Sequence, residues 1–197
     1  MTEEKNLDEN IKAFLLDIKC LDELNTWTNH FNIFEVLKIS RTEIRHSNML
    51  AWLLDPNENH GLGDTFLRKF LQSYYEEFDN IQSDKTLHVF DALLADLYSV
   101  NVSREWKNID LLLYSDEAKF YIAIENKIDS VEHASGNTEV SQLCKYRKIL
   151  EGNPRFKGYK RLLIYLTPNG DDPITEEEKQ YWDIYSYKTI VSILNDL

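Results

Sequence analysis

The chain has 197 residues, 43% of them hydrophobic and 12% aromatic, which is typical of one folded domain with a substantial core. Its two cysteines, Cys20 and Cys144, lie far apart and outside any Cys or His motif, which argues against a disulfide framework and a zinc site. The N-terminus MTEEKNLDEN is acidic, unlike a signal peptide, and no apolar run is long enough to span a bilayer, so we expect a cytoplasmic protein without membrane association.

The formal net charge of −12 disfavours a nucleic-acid partner when it is taken alone, because phosphate binding depends largely on Lys and Arg. Basic residues are nevertheless concentrated between residues 145 and 161, where seven of them accompany one acid, Glu151. This basic strip is compatible with a polyanionic ligand and equally with a solvated surface. Its members are Lys145, Arg147, Lys148, Arg155, Lys157, Lys160 and Arg161.

The first half of the chain carries helical patterns. Apolar residues recur at helical spacing over residues 6–24, and we assign residues 1–39 to an N-terminal helical extension and 40–197 to the main domain. A second helix follows Ser40, with Ser40 and Glu43 as a capping box and Asp55–Pro56 as its end. A glycine-bearing loop then leads to a third helix, TFLRKFLQSYYEEF.

From about Thr86 the period changes to that of strands. The segments YSVNVSREW, NIDLLLY and KFYIAIENKI predict three consecutive strands, and SDEA forms the turn between the last two. A helix over residues 139–150, the strand RLLIYLTP, a short acidic helix at TEEEKQYW and a terminal helix YKTIVSILNDL follow. This order predicts an α/β domain, and because the terminal helix runs to Leu197, the domain could extend beyond this chain.

Two acids and a lysine are predicted to meet on one face of the sheet. Glu125 and Lys127 are two residues apart in a strand, so their side chains point to the same side. A hairpin with residues 116–119 as its loop places Asp110 opposite Glu125. Two adjacent carboxylates repel each other unless a cation lies between them, and Mg²⁺ prefers such oxygen ligands. A metal ion, a water molecule and a lysine can together hydrolyse a phosphodiester.

The same three residues could also form an ordinary surface salt bridge. Gln142 and Tyr146 are four residues apart on the next helix and could project toward the same site. Glu43 lies in the first turn of an apolar helix, with His46 three residues on. A capping role for Glu43 and a partly buried, hydrogen-bonded imidazole for His46 are each as plausible as a functional role.

The motif order resembles that of the PD-(D/E)XK nuclease superfamily. Asp110, fourteen intervening residues and Glu125–Asn126–Lys127 match its signature, with Ile109 in place of the proline. The segment QLCKY is similar to the Gln-x-x-x-Tyr element of the RecB-like branch. The segments TEIRHSNMLAWLLDPNENHGLGDTFLRKFL, IENKID and YLTPNG are similar to a bacterial family of PD-(D/E)XK nuclease-like proteins, and the resemblance runs from Phe34 to the C-terminus.

The resemblance implies a restriction-endonuclease-like, three-layer core of order αβββαβ with a mixed four-stranded sheet. It also implies that Asp110 and Glu125 are metal ligands, that the Asn126 carbonyl is a third, and that Lys127 positions or activates the attacking water. The remaining residues in the match have implied or open roles. Glu43 would contact the metal directly or through water, and Gln142 and Tyr146 would orient the substrate backbone or the lysine. The substrate would be bound by Lys145, Arg147, Lys148 and His46. The roles of His60 and Asp129 stay open.

Three functions remain open at this point. The leading hypothesis is a Mg²⁺-dependent deoxyribonuclease, with Mn²⁺ able to substitute, that acts alone, as a homodimer or with a protein partner. The second is a catalytically inactive nuclease-fold module that mediates protein or nucleic-acid interactions. The third, less favoured, is a hydrolase of small phosphate esters that uses His46 and His60 as metal ligands.

Overall fold

A computed structural model describes residues 42–78, 85–128, 142–171 and 177–197. These residues all belong to one compact unit, residues 41–197. The predicted extension over residues 1–39, Ser40 and Asp129 lie outside the described residues. The predictions for the extension and for Asp129 therefore stay predictions.

The first described helix, α1 (Glu43–Leu54), starts later than the capping box predicted. Its N-cap is Thr42, which makes no side-chain capping bond, so Glu43 is the first helical residue and not the third. The capping-box prediction is therefore wrong, and the physical reason lies in what the Glu43 carboxylate binds instead. It accepts the backbone N–H of Ile128 at 3.2 Å. The helix ends before Pro56, as predicted, since proline cannot continue it.

The second helix, α2 (Thr65–Phe78), has the predicted bounds. Its apolar residues recur at three- and four-residue spacing and therefore form one buried face. A short helix, α3 (Val89–Leu93), and a 3₁₀ turn at Leu97–Ser99 follow and were not predicted. The buried face of α2 consists of Phe66, Leu67, Phe70, Leu71, Tyr74 and Tyr75.

The sheet is mixed and has the strand order β1-β2-β3-β4-β5. The first three strands form an antiparallel meander, and the last two lie parallel to β3. Every residue of β3 is buried, as expected for a central strand with layers on both faces. The strands are β1 (Asn101–Trp106), β2 (Ile109–Ser115), β3 (Phe120–Asn126), β4 (Lys160–Thr167) and β5 (Asp183–Ser186).

The fifth strand corrects two predictions, the four-stranded sheet and the short acidic helix at TEEEKQYW. The described part of that segment, residues 177–182, forms turns and leads into β5. Burial explains the difference, since Trp182 and Tyr185 are almost fully inaccessible. Tyr185 contacts the Phe70 ring edge-on, with 5.5 Å between the ring centroids, and β5 thereby closes the edge of the sheet.

Two layers of helices cover the sheet, which confirms the predicted three-layer α/β architecture. Helices α1, α2 and α5 (Tyr187–Asn195) bury their apolar residues against one face. Helix α4 (Gln142–Glu151) covers the other face through Leu143, Tyr146 and Leu150. Among the residues that the structure describes, no helix is both long enough and apolar enough to cross a membrane.

Candidate metal centre

The predicted hairpin register is confirmed. Leu111 pairs with Ile124 and Ser115 with Phe120, so the loop between β2 and β3 has four residues and the register continues to Asp110 opposite Glu125. Asp110 lies near the start of β2 and Glu125 near the end of β3. Both are therefore at the same end of these antiparallel strands, where the first residue of α1 contacts the end of β3. Period-two alternation and the turn length therefore bring the two carboxylates together.

Lys127 lies between two carboxylates just beyond β3. Its Nζ atom is 3.0 Å from Glu125 Oε1 and 3.6 Å from Glu43 Oε2. Its backbone N–H donates to the Leu166 carbonyl at 2.9 Å, which extends the pairing of β3 with β4 by one residue. The lysine side chain is 12% exposed, so its ammonium group is positioned by the fold and still reaches solvent.

The two carboxyl groups opposite each other have raised pKa values. Burial, then the negative charge of Asp110, raises the pKa of Glu125 to about 8, although Lys127 opposes the shift. Burial also raises the pKa of Asp110 to about 6, although the backbone N–H of Asn126 and the charge of Lys127 both lower it. Burial alone would lower the pKa of Lys127, but Glu125, Glu43 and Asp110 together raise it. The lysine is therefore an ammonium ion in this arrangement.

Two side-chain oxygens at this site, Glu125 Oε2 and Asn126 Oδ1, are buried without a hydrogen-bond partner among the described residues. Glu125 Oε1 accepts from Lys127 and from Gln142, whereas Glu125 Oε2 has no hydrogen-bond partner among the described residues. An unpaired carboxylate oxygen beside a second carboxylate is costly to bury, and a divalent cation would offset that cost. The residues therefore fit a divalent cation, which Asp110 and Glu125 would hold.

No three Asp, Glu, His or Cys side chains converge on a single point within residues 42–78, 85–128, 142–171 and 177–197. The third protein ligand would then be the Asn126 carbonyl oxygen, and its role stays a prediction. The Asn126 N–H donates to Asp110 Oδ2 at 2.8 Å, and its side-chain amide donates to Ser47 Oγ at 3.1 Å and the Glu43 carbonyl at 3.3 Å. Asn126 thus ties β2 and α1 to the end of β3.

The QLCKY helix also reaches the site. Gln142, the first residue of α4, donates through Nε2 to Glu125 Oε1 at 3.0 Å and to the Tyr146 hydroxyl at 2.6 Å. Tyr146 is 7% exposed and packs beneath the glutamine. The four-residue spacing on one helix face therefore brings Gln142 and Tyr146 together, with the Gln142 amide directed at the carboxylate of Glu125 and not at Lys127.

The two histidines make aromatic and backbone contacts near the ends of α1. His46 contacts the ring of Tyr187 edge-on, with centroids 5.8 Å apart. His60 Nδ1 accepts the Leu62 N–H at 3.0 Å, so the ring proton is on Nε2, which donates to the Asp55 carbonyl at 2.9 Å. His60 therefore holds the loop after α1 closed, and its engaged nitrogens disfavour the small-ester hydrolase with histidine ligands.

The basic residues of α4 differ in their surroundings. Arg147 is bound by Glu178, with Nη2 to Oε1 at 2.7 Å and Nε to Oε2 at 2.9 Å, and its guanidinium lies over the Tyr181 ring at 3.9 Å. This bidentate pair anchors α4 to the turn before β5 and favours a structural role for Arg147. Lys145 and Lys148 are exposed on the same helix, and their predicted contacts with substrate stay predictions.

A further acid, Glu105, was missed in the sequence. The β1–β2 register pairs Arg104 with Leu111 and Trp106 with Ile109, so Glu105 lies between these pairs, on the strand next to Asp110. Glu105 has φ = +54°, and its charge contributes to the raised pKa of Asp110. A two-residue turn at Lys107–Asn108 would have indicated this proximity, but the pair lacks the glycine that usually marks such turns.

The raised carboxyl pKa values predict how stability depends on pH. Between about pH 5 and pH 8 the folded protein binds more protons at Asp110 and Glu125 than the unfolded chain does, so the free energy of unfolding falls as the pH rises. Urea denaturation in the presence of EDTA should show this decrease, and Glu125→Gln should flatten it. An equal decrease in the variant would mean that other groups cause it.

Comparison with known proteins gives one match. A family model of the PD-(D/E)XK nuclease superfamily matches residues 31–197, which include all the acids and the lysine described above. No curated protein and no solved structure matches the chain.

Proposed function

Since the chain belongs to the PD-(D/E)XK nuclease superfamily, we propose that it is a metal-dependent nuclease that hydrolyses phosphodiester bonds in DNA, with Mg²⁺ as its cofactor and Mn²⁺ as a substitute. The observation that carries the proposal is the unpaired Oε2 of Glu125, buried beside Asp110 while Oε1 is bound by Lys127. If the Lys127–Glu125 salt bridge served only stability, Asp110 would not be needed beside it, and Glu125 Oε2 would not need to be buried without a partner.

The residues of the site would have separate roles in hydrolysis. A bound divalent cation would supply Lewis-acid stabilisation of charge on the phosphate and activate a water molecule. Asp110 and Glu125 would hold that cation, with the Asn126 carbonyl as a further ligand. Lys127 is held as an ammonium ion, so it donates hydrogen bonds to a phosphate oxygen or to the attacking water, and does not remove a proton in this state.

Glu43 and Gln142 support this arrangement from two sides. Glu43 holds Lys127 from α1 at 3.6 Å and fixes the chain after β3 through the Ile128 N–H. Gln142 holds Glu125 Oε1, which leaves Oε2 for the cation. We further propose that Lys145 and Lys148, exposed beyond Gln142 on α4, contact the phosphate backbone of the substrate.

The net charge of −12 favours a second candidate function, an inactive nuclease-fold module that binds a protein partner or nucleic acid. The two functions differ in what divalent ions do. An enzyme should cleave single- or double-stranded DNA when Mg²⁺ or Mn²⁺ is added and stop when EDTA removes the ion. An inactive module should leave both DNA and RNA intact under all these conditions. If the protein cleaved RNA in preference to DNA, the proposed DNA substrate would be wrong.

Two further points of the proposal concern the setting of the reaction. The sparse, unpatterned cysteines favour a cytoplasmic location. A homodimer, or a complex with a partner, would place one active site on each strand of a duplex, so an enzyme that cuts both strands in one binding event would act in such a complex. Sedimentation of the protein with and without duplex DNA would distinguish these states.

Gln142→Ala should weaken divalent-ion binding by about 10–100-fold, because partners that orient a metal ligand commonly contribute that much. The variant frees Glu125 Oε1 from its amide donor and lets the carboxylate rotate. Calorimetric titration with Mn²⁺ measures the effect, with Gln180→Ala in the exposed turn before β5 as the matched control. Equal affinity in the two variants would remove Gln142 from the site.

A further inference from the structure

A second concave site lies at the other end of the sheet from the carboxylates. It is a cavity of about 270 Å³ whose lining includes Tyr121, Glu151 and Arg161. Tyr121 and Glu125 are on the same face of β3, four residues apart, which corresponds to about 13 Å. Helix α4 connects the two places, with Gln142 at the metal centre and Glu151 at the cavity. The cavity is thus separate from the metal centre.

The lining of the cavity is basic in a protein that is acidic overall. Four of its residues are cationic, Lys85, Lys157, Lys160 and Arg161, and one is an acid, Glu151. Glu151 binds the Arg161 guanidinium through Oε1 and the Arg147 guanidinium through Oε2, the latter at 3.4 Å. Its single negative charge is therefore shared between two arginines. By formal count the lining carries four positive charges and one negative charge.

The fold holds these cations close together. The Arg161 N–H donates to the Lys85 carbonyl and the Leu87 N–H donates to the Arg161 carbonyl, both at 2.9 Å, so residues 85–87 are fixed beside β4. The Lys160 N–H donates to the Lys119 carbonyl, also at 2.9 Å. Like charges held together by backbone bonds repel one another, and an anion would relieve that repulsion.

The rim of the cavity is open at Gly158. This glycine has φ = +82°, a conformation that side chains rarely adopt, and no heavy atom lies within 4 Å of where a Cβ would be. The turn between Lys157 and Lys160 therefore leaves space beside the cavity for a ligand to enter.

We propose that this basic cavity binds a phosphate monoester, carried either by a free nucleotide or by the phosphorylated end of a nucleic-acid strand. Phosphate suits the lining because lysine provides point charges and arginine a planar fork for its oxygens. The volume lies just below the range of about 300–1,000 Å³ for whole small-molecule sites, which suits a phosphate and its sugar better than a larger ligand. The proposal is independent of the nuclease activity.

Calorimetric titrations without divalent ions test the proposal. The probes are inorganic phosphate, adenosine monophosphate, and one short DNA oligonucleotide with and without a 5′-phosphate. We expect the phosphate-bearing probes to bind the wild-type protein, and Lys157→Gln to weaken them about tenfold, as the loss of one charge-assisted hydrogen bond implies. Lys188→Gln, which makes the same charge change on the exposed surface of α5, should bind as the wild type does.

The arms of the experiment separate the two sources of phosphate. Tighter binding of adenosine monophosphate than of the phosphorylated oligonucleotide identifies a free nucleotide as the ligand. If the phosphorylated oligonucleotide binds more tightly than adenosine monophosphate and than the unphosphorylated oligonucleotide, the ligand is a strand end. Three results would overturn the proposal. The first is that no phosphate-bearing probe binds, and the second is that both oligonucleotides bind equally while the small probes do not bind. The third is that Lys157→Gln and Lys188→Gln have equal affinities for the phosphate-bearing probes. The titrations measure binding alone, so a failure of the proposed nuclease activity would leave their outcome unchanged.

Discussion

Replacing Lys127 with methionine should lower DNA cleavage by a factor of about 10²–10³, which is the usual cost of removing one preorganised donor from an active site. Methionine keeps the apolar stem of the lysine and removes the ammonium that lies 3.0 Å from Glu125. Single-turnover cleavage with saturating Mg²⁺ isolates this effect from ion binding.

The same substitution should also change how stability depends on pH. Without the ammonium, Asp110 and Glu125 face each other with no nearby cation, so their pKa values should rise further. Lys127→Met should therefore lose little stability near pH 6 and more above about pH 8, as measured by urea denaturation in EDTA. Lys188→Met, on the exposed surface of α5, provides the control. Cleavage within about twofold of the wild type would contradict the role of Lys127.

Replacing Asp110 with asparagine should remove both divalent-ion binding and cleavage. Asparagine keeps an oxygen that can accept the Asn126 N–H, now accepted by Asp110 at 2.8 Å, and removes the negative charge that a cation needs. We expect Mn²⁺ affinity and the cleavage rate each to fall by at least about 10²-fold, a loss that exceeds the 10–100-fold typical of an outer partner.

Stability distinguishes this result from simple unfolding. Asp110→Asn removes one of two mutually repelling buried carboxyls, so the variant should be at least as stable as the wild type in EDTA at pH 8. Asp91→Asn, at an exposed aspartate of α3, makes the same charge change away from the site. If Asp110→Asn kept wild-type affinity for Mn²⁺, Asp110 would not be a ligand.

The centre of the fold was predictable because local signals agree there with the tertiary structure. The turn between β2 and β3 has four residues, three of them charged, and both strands are largely apolar, so the register that places Asp110 opposite Glu125 follows from counting. Helix α2 was predictable for the same reason, since its apolar spacing matches the face that it buries.

The missed features depend on contacts that are distant in sequence. Strand β5 has only four residues and follows an acidic segment, and the burial of Tyr185 against Phe70 in α2 makes it a strand. The turn between β1 and β2 uses positive φ angles at Lys107 and Asn108, where glycine would have been the signal, so Glu105 was not placed beside Asp110.

The role of Glu43 likewise depends on tertiary contacts. Its sequence context, three residues after a serine, indicates a helix cap. In the structure its carboxylate instead lies 3.6 Å from Lys127 and accepts the Ile128 N–H, and both residues lie more than eighty positions further along the chain. A sequence pattern could show that an acid begins this helix, but not that the acid serves the end of β3.

Anomalous diffraction from crystals soaked in Mn²⁺ would locate the metal ion itself. We expect a manganese peak within bonding distance of carboxylate oxygens of both Asp110 and Glu125, with Glu125 Oε2 as one of them, and no such peak in Glu125→Gln crystals treated in the same way. A peak elsewhere, or one that persists unchanged in Glu125→Gln, would contradict the assignment of these two carboxylates as the metal centre of a nuclease.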